Sequence, residues 1–122
     1  MSTEVANPRD DCRALGQVID RIGDKWTVMV VGHLSEGPQR FNGLMRAIPG
    51  ISHRMLTLTL RGLQRDGLVR RTQFPTIPPR VDYELTDLGL SLTGPLSMLA
   101  RWASAERSSI EAAQRVYDGE TA

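Results

Sequence analysis

Helix breakers cut the first half of this chain into short pieces, and the pieces decide what it can fold into. The breaks fall at Gly23, at Gly37 with Pro38, at Pro49 with Gly50, and at Gly67. Proline has no N–H to donate and clashes with the preceding turn, while glycine most readily takes the left-handed conformation that ends a helix. Between the breaks, apolar residues recur at helical spacing. Leu15, Val18, Ile19 and Ile22 mark the first piece, Trp26, Met29, Val30 and Leu34 the second, and Phe41, Leu44, Met45 and Ile48 the third. Asp24 and Ser52 are placed to cap the second and fourth pieces through their side-chain oxygens. In the fourth, which runs to about residue 66, Leu56, Leu60 and Leu63 fall in one narrow sector at roughly 100° per residue. Arg54, Thr57, Arg61, Gln64 and Arg65 point the other way. Each short helix thus offers one face to a shared core.

After Gly67 the period changes. Residues 68–74 and 81–85 read as strands, the second alternating Val81, Tyr83 and Leu85 inward with Asp82 and Glu84 outward. The link at residues 75–80 contains three prolines and reads as a stiff hairpin tip. Thr86 is placed to cap a last helical region striped by Leu88, Leu92, Leu96, Leu99 and Trp102, in which Gly94 and Pro95 predict a kink or break. A shorter helix over about residues 108–117 is expected to follow. Residues 1–11 read as a flexible polar arm, 12–118 as one domain and 119–122 as a frayed end. A chain of 122 residues can bury roughly two-thirds of its unfolded surface without a disulfide or metal staple.

The predicted fold is mainly α with a small β-hairpin wing. Two short helices within residues 40–66, joined at 49–52, and a hairpin over 68–85 follow the order of a winged helix-turn-helix. The stripes in 12–22 and 87–118 hold more apolar surface than one small core absorbs, so the N- and C-terminal helices are expected to make a dimer. Leu15, Val18, Leu92, Leu96, Leu99 and Trp102 are its predicted interface.

Charge is sorted along the chain. Residues 37–81 carry eight arginines and one acid, Asp66, whereas both flanks are net acidic and the whole chain totals only +1. Such a block is either a solvated face or a surface that neutralises phosphates and releases their counterions. Membrane insertion finds no support, because no apolar run approaches the roughly 20 residues of a span, and the N-terminus lacks a signal peptide's apolar core. A cytoplasmic location is the expectation. One cysteine and two histidines, His33 and His53, are a poor metal set, and with no glycine-rich phosphate loop they give no recognisable catalytic set or cofactor site.

On the helix-turn-helix reading, double-stranded DNA is the expected partner. An α-helix fits the major groove, and residues in its N-terminal half reach base edges. Those positions are Ser52, His53, Arg54 and Thr57, with Arg54 able to read guanine through two hydrogen bonds. His53 is equally a capping or packing residue. Arg61 and Arg65 lie further along and suit phosphates, Arg40 could hold a phosphate beside the first helix of the motif, and Arg80 could reach an adjacent minor groove or backbone. Arg46 and Arg65 are also candidates for surface ion pairs, and Arg70 and Arg71 have no assigned role. Leu58, apolar on the polar side, either packs against the wing or meets a thymine methyl. A protein-interaction module using the basic face on an acidic partner is the alternative, and salt dependence on duplex DNA separates the two.

The segments Gly23-Asp24-Lys25-Trp26, Gly37-Pro38-Gln39-Arg40-Phe41, Gly50-Ile51-Ser52, Asp66-Gly67-Leu68-Val69 and Pro79-Arg80-Val81-Asp82-Tyr83 closely resemble those of the HxlR family of bacterial transcription regulators. With Cys12 and the region around Leu99 and Trp102, the resemblance spans about residues 12–103. Asp24 stands where that family usually has Gly, and Asp82 where it usually has Glu. The resemblance implies a homodimeric, MarR-like winged helix-turn-helix regulator, more often a repressor, acting on imperfectly palindromic operators. It also brings Cys12 forward, since several members have an N-terminal cysteine that senses oxidants or electrophiles; a small ligand between the helices is the other candidate effector. A helix start and Arg9 or Arg13 would favour the Cys12 thiolate, whereas Asp10 and Asp11 oppose it. The competing role is a small residue buried at the dimer interface.

Overall fold

The computed structural model describes residues 8–22 and 24–121, without the side chains of residues 8–10, 18, 21, 22 and 121. The expected helix stop at Gly23, the side chain of Val18 and most of the predicted N-terminal arm therefore lie outside the described residues.

Helix α1 spans Pro8–Ile22, so the helix starts earlier than the predicted domain start at residue 12. Proline is well suited to a first helical position, where its missing N–H would have no intrahelical partner, and Asp10 and Asp11 favour a helix N-terminus. Helix α2 (Lys25–Leu34) is capped by Asp24, whose Oδ1 accepts from the Trp26 N–H at 2.8 Å. After the break at Gly37 and Pro38 comes a two-residue strand, β1 (Gln39–Arg40), and then α3 (Phe41–Ala47). Helix α4 (His53–Arg65) is capped by Ser52, whose Oγ accepts from the Met55 N–H at 3.0 Å. It ends where Gly67 turns left-handed at φ +75°, with the Leu68 N–H donating to the Leu63 carbonyl at 2.9 Å and the Gly67 N–H to that of Gln64 at 3.0 Å. This pair of bonds satisfies carbonyls that a helix end otherwise leaves open.

Strands β2 (Val69–Phe74) and β3 (Arg80–Leu85) form the hairpin, pairing Val69 with Leu85 and Phe74 with Arg80. The sheet has a third member that sequence reading missed. Strand β1 lies on the other edge of β3, Gln39 opposite Tyr83 and Arg40 opposite Asp82, giving the antiparallel order β1-β3-β2. Two residues are too few to show a period of two. The alternation expected in β3 is also blurred: only Leu85 is buried there, and residues 80–84 are all half-buried, because the strand has neighbours on both sides.

The core sits where α2, α3 and α4 meet the base of the sheet. Val30, Val31 and Leu34 of α2 pack with Leu44, Ile48 and Ile51, with Leu56, Leu60 and Leu63 of α4, and with Val69 and Leu85. Trp26 and Met29 pack half-buried against it.

Helix α5 runs unbroken from Asp87 to Thr121, which corrects the expected break at Gly94 and Pro95, the separate helix at 108–117 and the frayed end from residue 119. Proline disfavours helix at the preceding residue chiefly through that residue's Cβ, which Gly94 lacks. The Ser91 carbonyl left without a donor lies on an exposed stretch where water can serve it. No helix among the described residues is long and apolar enough to cross a membrane.

The start of α5 is fastened to the hairpin by Thr86. Its Oγ1 donates to the Gly67 carbonyl at 2.6 Å and accepts from the Gly89 N–H at 3.1 Å, while its own N–H donates to the Leu68 carbonyl at 3.0 Å. The approach is so close that a Cβ on Gly89 would lie 2.1 Å from the Leu68 carbonyl oxygen, on backbone that cannot swing aside. Gly89→Ala is accordingly expected to lower stability by about 1–3 kcal/mol in denaturant unfolding. A wild-type midpoint would show that the junction can open without loss.

Candidate nucleic-acid interface

Burying Leu56, Leu60 and Leu63 on one side of α4 turns the opposite side outward, and that side carries Arg54, Arg61 and Arg65. Arg54 and Arg61 are exposed and pair with no acid among the described residues, so their guanidinium groups are unengaged. Arg65 lies 4.0 Å from the Asp66 carboxylate, a distance at which an exposed pair contributes little. Leu58 on the same outer side is 48% exposed and is not covered by the wing.

The other predicted α4 residues are partly committed within the fold. The Ser52 hydroxyl oxygen caps the helix, and the Thr57 hydroxyl donates to the His53 carbonyl at 2.9 Å, which leaves each with reduced hydrogen-bonding capacity. The His53 ring lies against that of Phe41, centroids 4.7 Å apart and planes inclined by 51°. This contact bridges α3 and α4 across the turn at residues 49–52, so packing is a real part of what His53 does.

Arg40 and Arg80 are far apart in sequence but meet at one acid. Asp82 Oδ1 is 3.5 Å from Arg80 Nε and 4.0 Å from Arg40 Nε. Arg80 Nε and Asp82 Oδ1 are buried and form no hydrogen bond, so the contact is electrostatic only. Arg80 also places its guanidinium 4.1 Å from the Phe74 ring centre, where the ring's negative face attracts it. Sequence reading had aimed Asp82 outward as an ordinary strand acid; the register Arg40↔Asp82, created by the missed strand β1, makes it the shared partner. Arg40, Arg46 and Arg80 line a cleft of about 650 Å³ between the start of α3 and the end of the wing. Arg70 is the arginine most clearly engaged elsewhere, its Nη2 3.0 Å from Glu84 Oε1 on the neighbouring strand. Arg71 is exposed and unpaired among the described residues.

The acidic flanks carry the remaining candidates. Cys12 is exposed and lies in the second turn of α1, since that helix begins at Pro8. It is therefore beyond the first turn, where a helix N-terminus acts most strongly on a thiolate. Among the predicted interface residues, Leu15, Leu99 and Trp102 are each 57% exposed, whereas Leu92 is half-buried and Leu96 packs on the core of its own chain. Met98, Val116 and Tyr117 add further exposed apolar surface to α5.

A helix with a basic outer face, reached through a tight turn from a shorter helix and followed by a three-stranded wing, is a winged helix-turn-helix. The sequence pattern of the HxlR-like helix-turn-helix family matches residues 21–111. The chain belongs to that family. It is 41% identical over 86 residues to the HTH-type transcriptional regulator YtcD of Bacillus subtilis, an alignment covering 70% of this chain and 68% of that one. Among solved structures, the reduced form of the redox regulator HypR superposes with a TM-score of 0.76 at 36% identity, covering 81% of this chain and 98% of its own. A MarR-family regulator from Enterococcus faecalis V583 gives the same TM-score at 32% identity over 92% of this chain and 99% of its own. The chain is thus an HTH-type, DNA-binding transcriptional regulator of the HxlR family, with a MarR-like winged helix, and its relatives are regulators, not enzymes.

Proposed function

We propose that the protein is a sequence-specific repressor that binds a palindromic operator in double-stranded DNA as a homodimer. The observation that carries this reading is the pair of unengaged arginines, Arg54 and Arg61, on the outward face of a helix whose other face is fixed in the core. Arg54, in the first turn, reads a base edge in the major groove; Ser52, His53 and Thr57 beside it contact backbone or base with what capacity their internal bonds leave. Arg61 meets phosphate, and the cleft holding Arg40 and Arg80 receives another stretch of backbone. Sequencing of DNA that co-purifies with the protein identifies the operator, and transcripts that rise when the gene is deleted establish repression; falling transcripts would make it an activator. In fluorescence anisotropy on that operator, Arg54→Ala should relax sequence preference by about 1–3 kcal/mol. Arg61→Ala should weaken binding to all duplexes alike and lower the log–log salt slope by about 0.9. Undiminished base preference in the first variant would remove Arg54 from the reading role.

The dimer is supported by apolar surface that one protomer leaves in water. Leu15 and Ile19 on α1 and Leu99 and Trp102 on α5 are all exposed, and the far half of α5 has no neighbour within the described residues. Two-fold pairing of these helices would bury them and set two α4 helices about 34 Å apart, one turn of the duplex. The double variant Leu99→Asp, Trp102→Ala should run as a monomer in light scattering and lose at least tenfold in operator affinity. A dimer that persists in that variant would place the interface elsewhere.

Cys12 is proposed as the point at which oxidants or electrophiles release the operator. Its exposure gives reagents access, and the structural likeness to HypR, a redox regulator, adds to the case. With the thiol oxidant diamide, wild-type operator affinity is expected to fall while Cys12→Ser is unaffected. An equal response in both would rule the cysteine out and leave a small ligand as the effector.

A further inference from the structure

The tip of the wing carries an apolar side chain with no partner inside the protein. Ile77 is 100% exposed, the most exposed large apolar residue described. It stands in the sequence Pro75-Thr76-Ile77-Pro78-Pro79, which contains no charge and only two backbone N–H groups. The tip therefore has little with which to hold a phosphate. It is nonetheless pre-shaped: three prolines fix their φ angles, and the Thr76 hydroxyl donates to the Pro78 carbonyl at 2.8 Å across the turn. A rigid mount loses little conformational freedom when it meets a partner.

Its surroundings indicate what that partner is. Behind the tip stand Arg80, seated on Phe74, and Arg71 on β2, while the nearest acid, Asp82, faces Arg80 and Arg40. An uncharged apolar point projecting from a basic platform suits a polyanion with an apolar recess, and the duplex minor groove has walls of deoxyribose. Strands of six residues carry the tip roughly 17–20 Å from the anchored Val69–Leu85 pair. That is close to half of the roughly 34 Å duplex repeat, the spacing between a major groove and the minor groove beside it. The minor groove is about 6 Å wide, enough for a single isoleucine side chain.

We propose that Ile77 enters the minor groove flanking the α4 site and reads A·T against G·C there by shape. The inference rests on the DNA-binding reading above. On the floor of that groove G·C differs from A·T by the guanine 2-amino group, a donor. An isoleucine methyl pressed onto it would leave that donor without its water, so G·C is rejected and A·T accepted. The wing then supplies specificity through a residue that forms no hydrogen bond, while Arg80 and Arg71 hold the backbone on either side.

Inosine separates this from any other effect of base composition, because an inosine·cytosine pair keeps the major-groove face of G·C and lacks the 2-amino group. The probes are duplexes built on a site selected from random DNA by the protein itself, with the pairs about half a helical turn outside each half-site set to A·T, G·C or inosine·cytosine. Wild-type protein should bind the A·T and inosine·cytosine probes alike and the G·C probe about three- to tenfold more weakly. Ile77→Ala should lose that discrimination and bind the A·T probe about three- to tenfold more weakly than wild type, with an unchanged salt slope, since an apolar contact releases no counterions. Ile77→Met should restore much of both. Full exposure of Ile77 means that neither variant should shift the thermal midpoint. If inosine·cytosine behaves as G·C does, if Ile77→Ala keeps the flank preference, or if its salt slope falls, the assignment is overturned. Wild-type protein that binds no duplex at all would instead sink the DNA-binding reading itself.

Discussion

The anchoring of α4 is the constraint on which the rest of the structure depends. Leu56, Leu60 and Leu63 are buried to within 1% of their surface against α2, α3 and the base of the sheet. A side chain that loses its water entirely contributes about 1.5–3 kcal/mol, so rotating this helix would forfeit several such contributions at once. With that face fixed, the helix has a single rotational setting, and Arg54 and Arg61 must stand outward. A surface that is to read a groove needs this rigidity more than it needs any one contact, because a base edge is recognised only over a narrow range of positions. The Phe41–His53 ring contact and the Ser52 cap act in the same sense at the helix's N-terminal end.

The wing is positioned from the same anchor. The turn at Gly67 leads from the end of α4 into β2, and the neighbouring Thr86 bonds tie the return strand and the start of α5 to the same spot. Strand β1 then closes the far edge of β3, bringing Arg40 from the beginning of the motif beside Arg80 from its end. The chain thereby brings basic groups from three separate elements to the recognition side while the acidic flanks run into α1 and α5. Asp82, an acid within this cluster, holds the two arginines near each other electrostatically, and as an ion pair near the surface its value lies in orientation more than in stability.

Much of this was legible in residue order. The helix pieces, the caps at Asp24 and Ser52, the turn at Gly67 and the buried stripe of α4 follow from local rules in which each residue acts on neighbours within one turn. The reading failed where a distant element intervened. Strand β1 exists only because β3 offers it hydrogen bonds, and Asp82 changed role with it. Pro95 did not stop α5, because the preceding Gly94 removes the steric conflict that would have ended it. Thr57 kept its place on the outer face, but its hydroxyl turned to a backbone carbonyl that the helix itself supplies.

Sequence alone therefore determined the lengths of the helices, the face each one buries and the sorting of charge into one basic block, because periodicity, capping and composition are properties of short stretches. Tertiary structure alone decided which arginines remain unengaged, which share an acid and where the uncharged tip of the wing projects. Those outcomes depend on distances between residues far apart in the chain, and these are fixed only when the core closes around α4.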